Sequence, residues 1–317
     1  VQSKPWFSYN DYLQKRFGEK VYKVTVSAGF TCPTRDGKRG SDGCAFCDEH
    51  GSGSFFSAGQ GTAAIRDQIV QAIPAIRQRF NANKFLAYFQ SFTNTYAPVK
   101  YLQEVYDGAI GIPDVVGMAV GTRPDCIAEP VLNLLDRYAV GGQYVSLELG
   151  LQSLRDDALN FYTRGHTAEE GVDGIRRALK HKNLAVCVHL MFGAPGDNLQ
   201  TAIDAAQTMN DLGVHGVKLH QLMILKNTGL ATRYAREPWP LFTLEQYNEL
   251  ACAFLENLDP NIYVERTHAL ATHPEDLVAP DWASKRWEPF NDLVRRLTKA
   301  AETRPSQFGS RDLSRIQ

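Results

Sequence analysis

Short β-rich runs alternating with longer amphipathic ones predict an α/β fold, a partial (β/α)6-type TIM barrel of parallel strands. Three observations carry that expectation. The β-rich runs are almost continuously apolar, as strands covered on both faces by helices must be. The segments between them carry apolar residues at helical spacing. The first strand is followed by a long loop, 27–61, rich in Gly, Ser, Cys and Asp, and a loop of that length in a compact domain usually binds something. A small C-terminal extension completes the expected architecture.

Taken in order, the candidate strands are 20–26, 85–90, 115–120, 144–149, 185–192 and 217–225. The helices between them are 62–79, 98–110, 128–138, 167–181 and 199–212. The last helix shows the pattern clearly, with Ala202, Ala205, Ala206, Met209 and Leu212 on one stripe. Thr167-Ala168-Glu169-Glu170 has the form of a capping box, and Gly213 follows its helix as a C-terminal stop. The barrel domain is expected over 1–258. The segment 259–317, with an amphipathic helix near 281–301, is read as an extension packing on one end of the barrel.

Composition narrows the function. With 317 residues, 44% hydrophobic and 22% charged, the chain can bury a core without disulfides, so its six cysteines need another explanation. No apolar run is long enough to cross a bilayer, and Val1-Gln2-Ser3-Lys4-Pro5-Trp6 lacks signal-peptide character. A cytoplasmic protein with no membrane partner is expected, in which thiols stay reduced and clustered cysteines point to metal or catalysis. The net charge of −1 gives no support to wholesale nucleic-acid binding, so any such partner requires a local basic patch.

The loop contains Cys32-x11-Cys44-x2-Cys47, set among glycines that let backbone wrap around an ion. Three thiolates suit two kinds of centre. Zinc would need a fourth ligand, Asp48 or His50. An iron–sulfur cubane would keep one iron open to a non-protein ligand. Spacing alone leaves both readings standing. Position favours the open, catalytic centre, because the loop follows a barrel strand at the face where barrel chemistry occurs.

The motifs around these cysteines, Phe17-Gly18-x-Lys20-Val21 and Gly29-Phe30-Thr31-Cys32-Pro33 leading into Gly43-Cys44-Ala45-Phe46-Cys47, resemble the radical S-adenosylmethionine (SAM) superfamily. Within it, the chain is similar to the YhcC/YtqA-type family of the branch related to the Elongator catalytic subunit. The resemblance runs from about Phe17 to Trp287. At Thr34 relatives often carry Asn. The resemblance implies that Cys32, Cys44 and Cys47 bind three irons of a [4Fe-4S] cluster, with SAM chelating the fourth. It further implies reductive cleavage of SAM to a 5′-deoxyadenosyl radical, an electron donor of flavodoxin or ferredoxin type, and Phe46 beside the adenine. The remaining cysteines, Cys126, Cys187 and Cys252, are scattered and read as inert thiols.

In a parallel barrel, contacts come from C-terminal strand ends. After the second strand, Gln90, Ser91, Thr93 and Asn94 occupy the place that binds the methionine amino group in the superfamily, although the usual Gly-Gly-Glu wording is absent. A hydroxyl-rich start to the next helix is the competing reading. The third strand ends on Arg123 and Asp125, candidates for substrate contact or for an ion pair with each other. Glu148 interrupts an apolar fourth strand, a costly placement unless it faces a polar site. The resemblance puts Glu148 and Gln152 near the cofactor and Arg164 on the methionine carboxylate. It also puts Gly193 and Gly196 by the ribose or adenine, and the backbone of Leu222, Met223 and Ile224 along the adenine. Substrate candidates on the later strands are His189, Lys218, His220, Arg266 and His268. A strand histidine such as His189 is otherwise a satisfied core residue.

The branch resemblance implies hydrogen abstraction from a tRNA wobble-uridine side chain. Lys285, Arg286, Trp287, Arg295, Arg296, Lys299, Arg233 and Arg236 are then the candidate RNA contacts. The alternatives are a radical enzyme acting on a small metabolite or protein side chain, and a non-catalytic zinc-loop scaffold.

Overall fold

The computed structural model describes residues 4–48, 51, 62–271 and 273–303. Its centre is a parallel sheet of seven strands in the order β1-β2-β3-β4-β5-β6-β8. These are β1 (Val21–Val26), β2 (Lys84–Phe89), β3 (Val115–Thr122), β4 (Tyr144–Gln152), β5 (Ala185–Phe192), β6 (Gly216–Gln221) and β8 (Tyr263–Arg266). Helices α2 (Thr62–Phe80), α3 (Val99–Asp107), α4 (Glu129–Val140), α6 (Ala168–Lys180), α7 (Leu199–Leu212) and α9 (Leu244–Asn257) connect successive strands. Their apolar stripes, such as Ile65, Ile69 and Ile73 of α2, are buried against the outer face of the sheet.

The α/β partial barrel is as expected, with one more strand. The seventh, β8, comes from the segment read as extension, and it was weak in sequence because only four residues form it. The run 217–225 divides. After β6, the two-residue β7 (Ile224–Leu225) turns away to pair antiparallel with β9 (Leu277–Ala279). The C-terminal helix α10 starts later than periodicity suggests, at Glu288–Thr303, after a 3-10 turn at Asp281–Ser284. Helices α1 (Tyr9–Phe17), α5 (Asp156–Phe161) and α8 (Gly229–Arg236) add to the expected set. The capping box of Thr167 and Glu170 and the left-handed Gly213 stop are present.

The sheet curls without closing by strand pairing. Its edge strands nevertheless approach, since Lys23 Nζ of β1 lies 2.7 Å from Glu265 Oε2 of β8. The N-terminal end of the barrel is sealed by α1, which Ser8 and Asp11 start with a reciprocal capping box. Tyr9 and Tyr12 of α1 pack on Tyr263 at ring distances of 4.8 and 4.6 Å. Gly216 is required here, because a Cβ at that position would fall 2.0 Å from the Tyr263 ring. With this end closed, access to the interior is left to the C-terminal strand ends.

Replacing Tyr12 by Ala removes a buried ring from this plug and should cost about 3–5 kcal/mol, the usual range for deleting a core aromatic. Urea denaturation measures it, and a loss below about 1 kcal/mol would show that the plug contributes little.

Candidate active site

The cysteine loop folds over the C-terminal ends of β1 to β4. The Cys44–Cys47 turn is braced from both sides. Ala45 N–H donates to the Tyr162 carbonyl at the end of α5 (2.9 Å), and Leu230 N–H of α8 donates to the Ala45 carbonyl (2.7 Å). Farther along, Arg39 ties the loop to the barrel through Asp125 (3.1 Å), Glu170 (3.0 Å) and the Gly165 carbonyl (2.6 Å). Cys32, Cys44 and Cys47 all line one cavity of about 590 Å³.

Polar donors point at these sulfurs. Thr93 Oγ1 donates to Cys32 Sγ at 3.0 Å, and Arg164 Nη1 donates to Cys44 Sγ at 3.1 Å. Arg123 reaches Cys44 Sγ at 3.9 Å, held by a two-pronged ion pair to Asp125 at 2.9 Å. Burial pushes the Cys44 thiol up, but the Arg164 and Arg123 guanidiniums outweigh it, so its pKa lies below the ordinary thiol value. Burial raises Cys32, partly offset by the Thr93 hydrogen bond. The other cysteines are raised by burial, Cys126 and Cys252 to about 12 and Cys187 well above the usual range, as inert thiols should be.

The donor set fits a polynuclear centre. A single zinc ion needs its ligand atoms about 2.0–2.3 Å from one point. Cys32, Cys44 and Cys47 supply three thiolates to one cavity. A cubane takes one thiolate per iron, so three thiolates leave one iron for a non-protein ligand. His50, the other zinc candidate, lies outside the described residues. Arg164 is buried, and among the described residues its Nε has no hydrogen-bond partner, leaving a cationic donor for an anionic group.

Opposite the cysteines, inward side chains of the strands form a buried charge network. Glu148 is fully buried and accepts from Lys23, from Lys218 Nζ (3.1 Å), from Tyr88 Oη (3.0 Å) and from His189 Nε2 (2.9 Å). Glu265 lies 2.7 Å from both Lys23 and Lys218. Burial would raise the Glu148 carboxyl, but Lys218 and Lys23 hold it well below the usual carboxylate range. For both lysines burial opposes the charge and the two carboxylates prevail, raising their pKa values. His189 is lowered by burial and Lys218, and His220 is lowered to about 3 by burial and Arg266, so both rings are neutral at physiological pH.

The cavity brings together most of the residues singled out from sequence. Besides the cysteines, it is lined by Phe46, Gln90, Thr93, Arg123, Glu148, Gln152, Arg164, His189, Lys218, His220, Met223 and Arg266. Gln152 has a left-handed backbone (φ 72°), a strained conformation often found beside ligands. Others do not line it. Ser91 is buried, and the Asn94 amide donates to the carbonyls of Phe89 and Gly121 (3.1 and 2.8 Å). Leu222 and Ile224 pack in an apolar cluster, and Gly193 lies so close to Leu222 that a Cβ would stand 2.8 Å from its side chain. Asp125 is taken up by Arg123 and Arg39, and His268 bonds Asn248 Oδ1 (2.8 Å) on another side of β8. Lys23 and Glu265 belong to the interior network although neither was singled out. For Lys23 the signal was present, since it is the one charge in its strand, as Glu148 is, whereas Glu265 sits beside Arg266 in a four-residue strand that is half charged.

Residues 36–209 match the radical SAM superfamily, and residues 214–299 match its radical SAM C-terminal domain. The chain is 33% identical to YtqA of Bacillus subtilis over 307 residues, 96% of this chain and 92% of that protein. It is 35% identical to YhcC of Escherichia coli over 287 residues, 90% of each. A shorter likeness, 26% identity over 138 residues, covers 43% of this chain and 25% of the tRNA uridine(34) acetyltransferase of Methanocaldococcus jannaschii. Among solved structures, the archaeal Elp3 of Methanocaldococcus infernus shares the fold with a TM-score of 0.62 at 18% identity, over 90% of this chain and 63% of that one.

The site should be acid-sensitive in a defined direction. Burial lowers His220 to about 3 and His166 to about 4, and paired lysines lower Glu148 and Glu265. Each folded-state pKa lies below its unfolded value, so unfolding takes up protons. The stabilisation is complete above the unfolded values, near pH 6.5 for His and 4.3 for Glu, and is lost as pH falls through the folded ones. Denaturation of the apoprotein from pH 7 to pH 4 should show falling stability below about pH 6.5, and a flat profile would contradict the neutral buried imidazoles. Glu148→Ala would leave two buried ammoniums facing one carboxylate and should cost about 3–5 kcal/mol.

Proposed function

Since this chain belongs to the radical S-adenosylmethionine superfamily, we propose that Cys32, Cys44 and Cys47 each bind one iron of its [4Fe-4S] cluster and that its substrate is a tRNA wobble-uridine side chain. It is a radical SAM enzyme, and the cluster and SAM are its cofactors. The observation that carries the ligand assignment is that three loop cysteines line one cavity, with the buried Arg164 donating to Cys44 beside them. Once bound and reduced, these cofactors supply a 5′-deoxyadenosyl radical able to take hydrogen from an unactivated C–H bond.

The protein's part is to bind, orient and exclude water. Arg164 takes the methionine carboxylate with its planar guanidinium. Gln90, Thr93 and Gln152 receive the amino group, and Phe46 and Met223 flank the adenine. Ser91, Asn94, Gly193, Leu222 and Ile224 act through the backbone they shape. The substrate carbon approaches from the opposite wall, where His189, Lys218, His220, Arg266 and Arg123 face the cavity. Glu148, Lys23 and Glu265 hold that wall rigid and fix the His189 ring through Nε2. Asp125 positions Arg123 and the loop, and His268 steadies the chain after β8.

The tRNA reading is supported by the likeness to a tRNA uridine(34) acetyltransferase and by the cations along the cavity. A radical SAM enzyme also needs an electron donor, here assigned to the flavodoxin or ferredoxin type. Among the described residues no helix is long and apolar enough to cross a membrane.

Anaerobically reconstituted protein should bind about four irons and form 5′-deoxyadenosine on reduction. Cys44→Ala should lose both, and SAM cleavage surviving that change would overturn the ligand assignment. Nucleoside analysis of tRNA from a strain lacking the gene should show an altered wobble uridine. An unchanged profile removes the tRNA substrate and leaves a small metabolite or protein side chain.

A further inference from the structure

A second depression, of about 430 Å³, runs beside β8 and reaches the start of α10. It lies where the curled sheet stays open, since β8 pairs with β6 on one side, and on the other its edge meets only the Ser8 bridge at Val264. Arg266 and Leu270 line both this groove and the main cavity, so the two adjoin. The groove's outer wall combines cations with aromatic rings. The Arg286 guanidinium lies 5.5 Å from the centre of the Trp287 ring, and Lys4 Nζ lies 5.8 Å from that of Phe290. Lys285 is on the same wall, paired at 2.8 Å with Glu288. Trp287 is 64% exposed, unusual for a tryptophan without a partner surface.

We infer that this groove is a docking track for single-stranded RNA, in which a nucleotide neighbouring the target stacks on Trp287 while the target base passes Arg266 into the cavity. The inference rests on the tRNA reading and adds to it a location and a direction of approach. Stacking platforms flanked by cations are how proteins hold single strands, because every base has a π-face and every nucleotide a phosphate. Arg286 and Arg266 bring positive charge to the groove, where Lys285 is paired with Glu288 and the lining carboxylate, Glu265, is taken up by both interior lysines. In a chain of net charge −1 this is a local excess. The cations of α10 itself lie outside the groove. Arg295 and Arg296 are both paired with Asp292, and Arg296 also reaches Glu245 (3.7 Å).

The test is binding of unfractionated tRNA to the reconstituted holoprotein at several salt concentrations. Trp287→Ala should weaken binding roughly tenfold, as loss of one base stack does. Arg286→Gln should reduce the slope of log affinity against log salt by about 0.7–0.9. Arg295→Gln, outside the groove, should bind within about twofold of wild type. Wild-type affinity in Trp287→Ala and Arg286→Gln, with tRNA still bound by wild type, overturns the groove and spares the tRNA reading. Equal weakening by Arg295→Gln also overturns it, because the attraction would then be diffuse. Failure of the wild type to bind tRNA overturns the tRNA reading itself.

Discussion

Two carboxylates and two ammoniums locked together inside the barrel are the constraint on which the rest of this structure depends. Glu148 and Glu265 each contact Lys23 and Lys218, joining β1, β4, β6 and β8 across the interior. Such a network gains little over an apolar core of the same volume, yet losing one partner leaves a buried charge uncompensated. Its value is geometric. It draws the first and last strands of an open sheet toward each other and keeps the interior polar. It also holds Tyr88 and His189 in fixed orientations beside the cavity.

The cysteine wall depends on a different device. The loop is folded on itself by backbone hydrogen bonds such as Arg39 N–H to the Pro33 carbonyl and Gly43 N–H to the Thr34 carbonyl, and groups from elsewhere in the chain fix its position. Arg39 reaches two acidic residues and a carbonyl, and the Cys44–Cys47 turn is hydrogen-bonded between α5 and α8. The Asp125 carboxylate serves both Arg39 of the loop and Arg123 of the barrel, coupling loop placement to the charge facing Cys44. The two walls therefore divide the work. One is a loop braced from outside, and the other is cross-linked within the barrel, with the cavity between them.

Much of the fold was legible because it follows from local periodicity. The strand 185–192 and the helix 199–212 were readable to the residue, since the near-continuous apolar run, the apolar stripe and Gly213 all act within a few positions. The four-residue β8 was too short to show a period, and α10 was masked at its start by a 3-10 turn. At the site, Glu148 stood out as a charge in an apolar strand, and Lys23 bore the same mark. Asn94 and Asp125 were indistinguishable from ligands in sequence, because a polar side chain at a strand end does not reveal whether it serves the backbone, a neighbour or a bound molecule.

By itself the sequence determined the succession of β/α units, the three-cysteine loop after β1 and the capping of several helices, all properties of residues close along the chain. Only the tertiary structure decided which distant groups meet. Lys23 contacts Glu148 from 125 residues away and Glu265 from 242. Arg164 reaches Cys44 across 120 residues, and Thr93 reaches Cys32 across 61. Those pairings depend on the curl of the sheet and on which side of each strand turns inward. Curl and inward face are set by packing among all the elements at once, so no single segment of the chain encodes them.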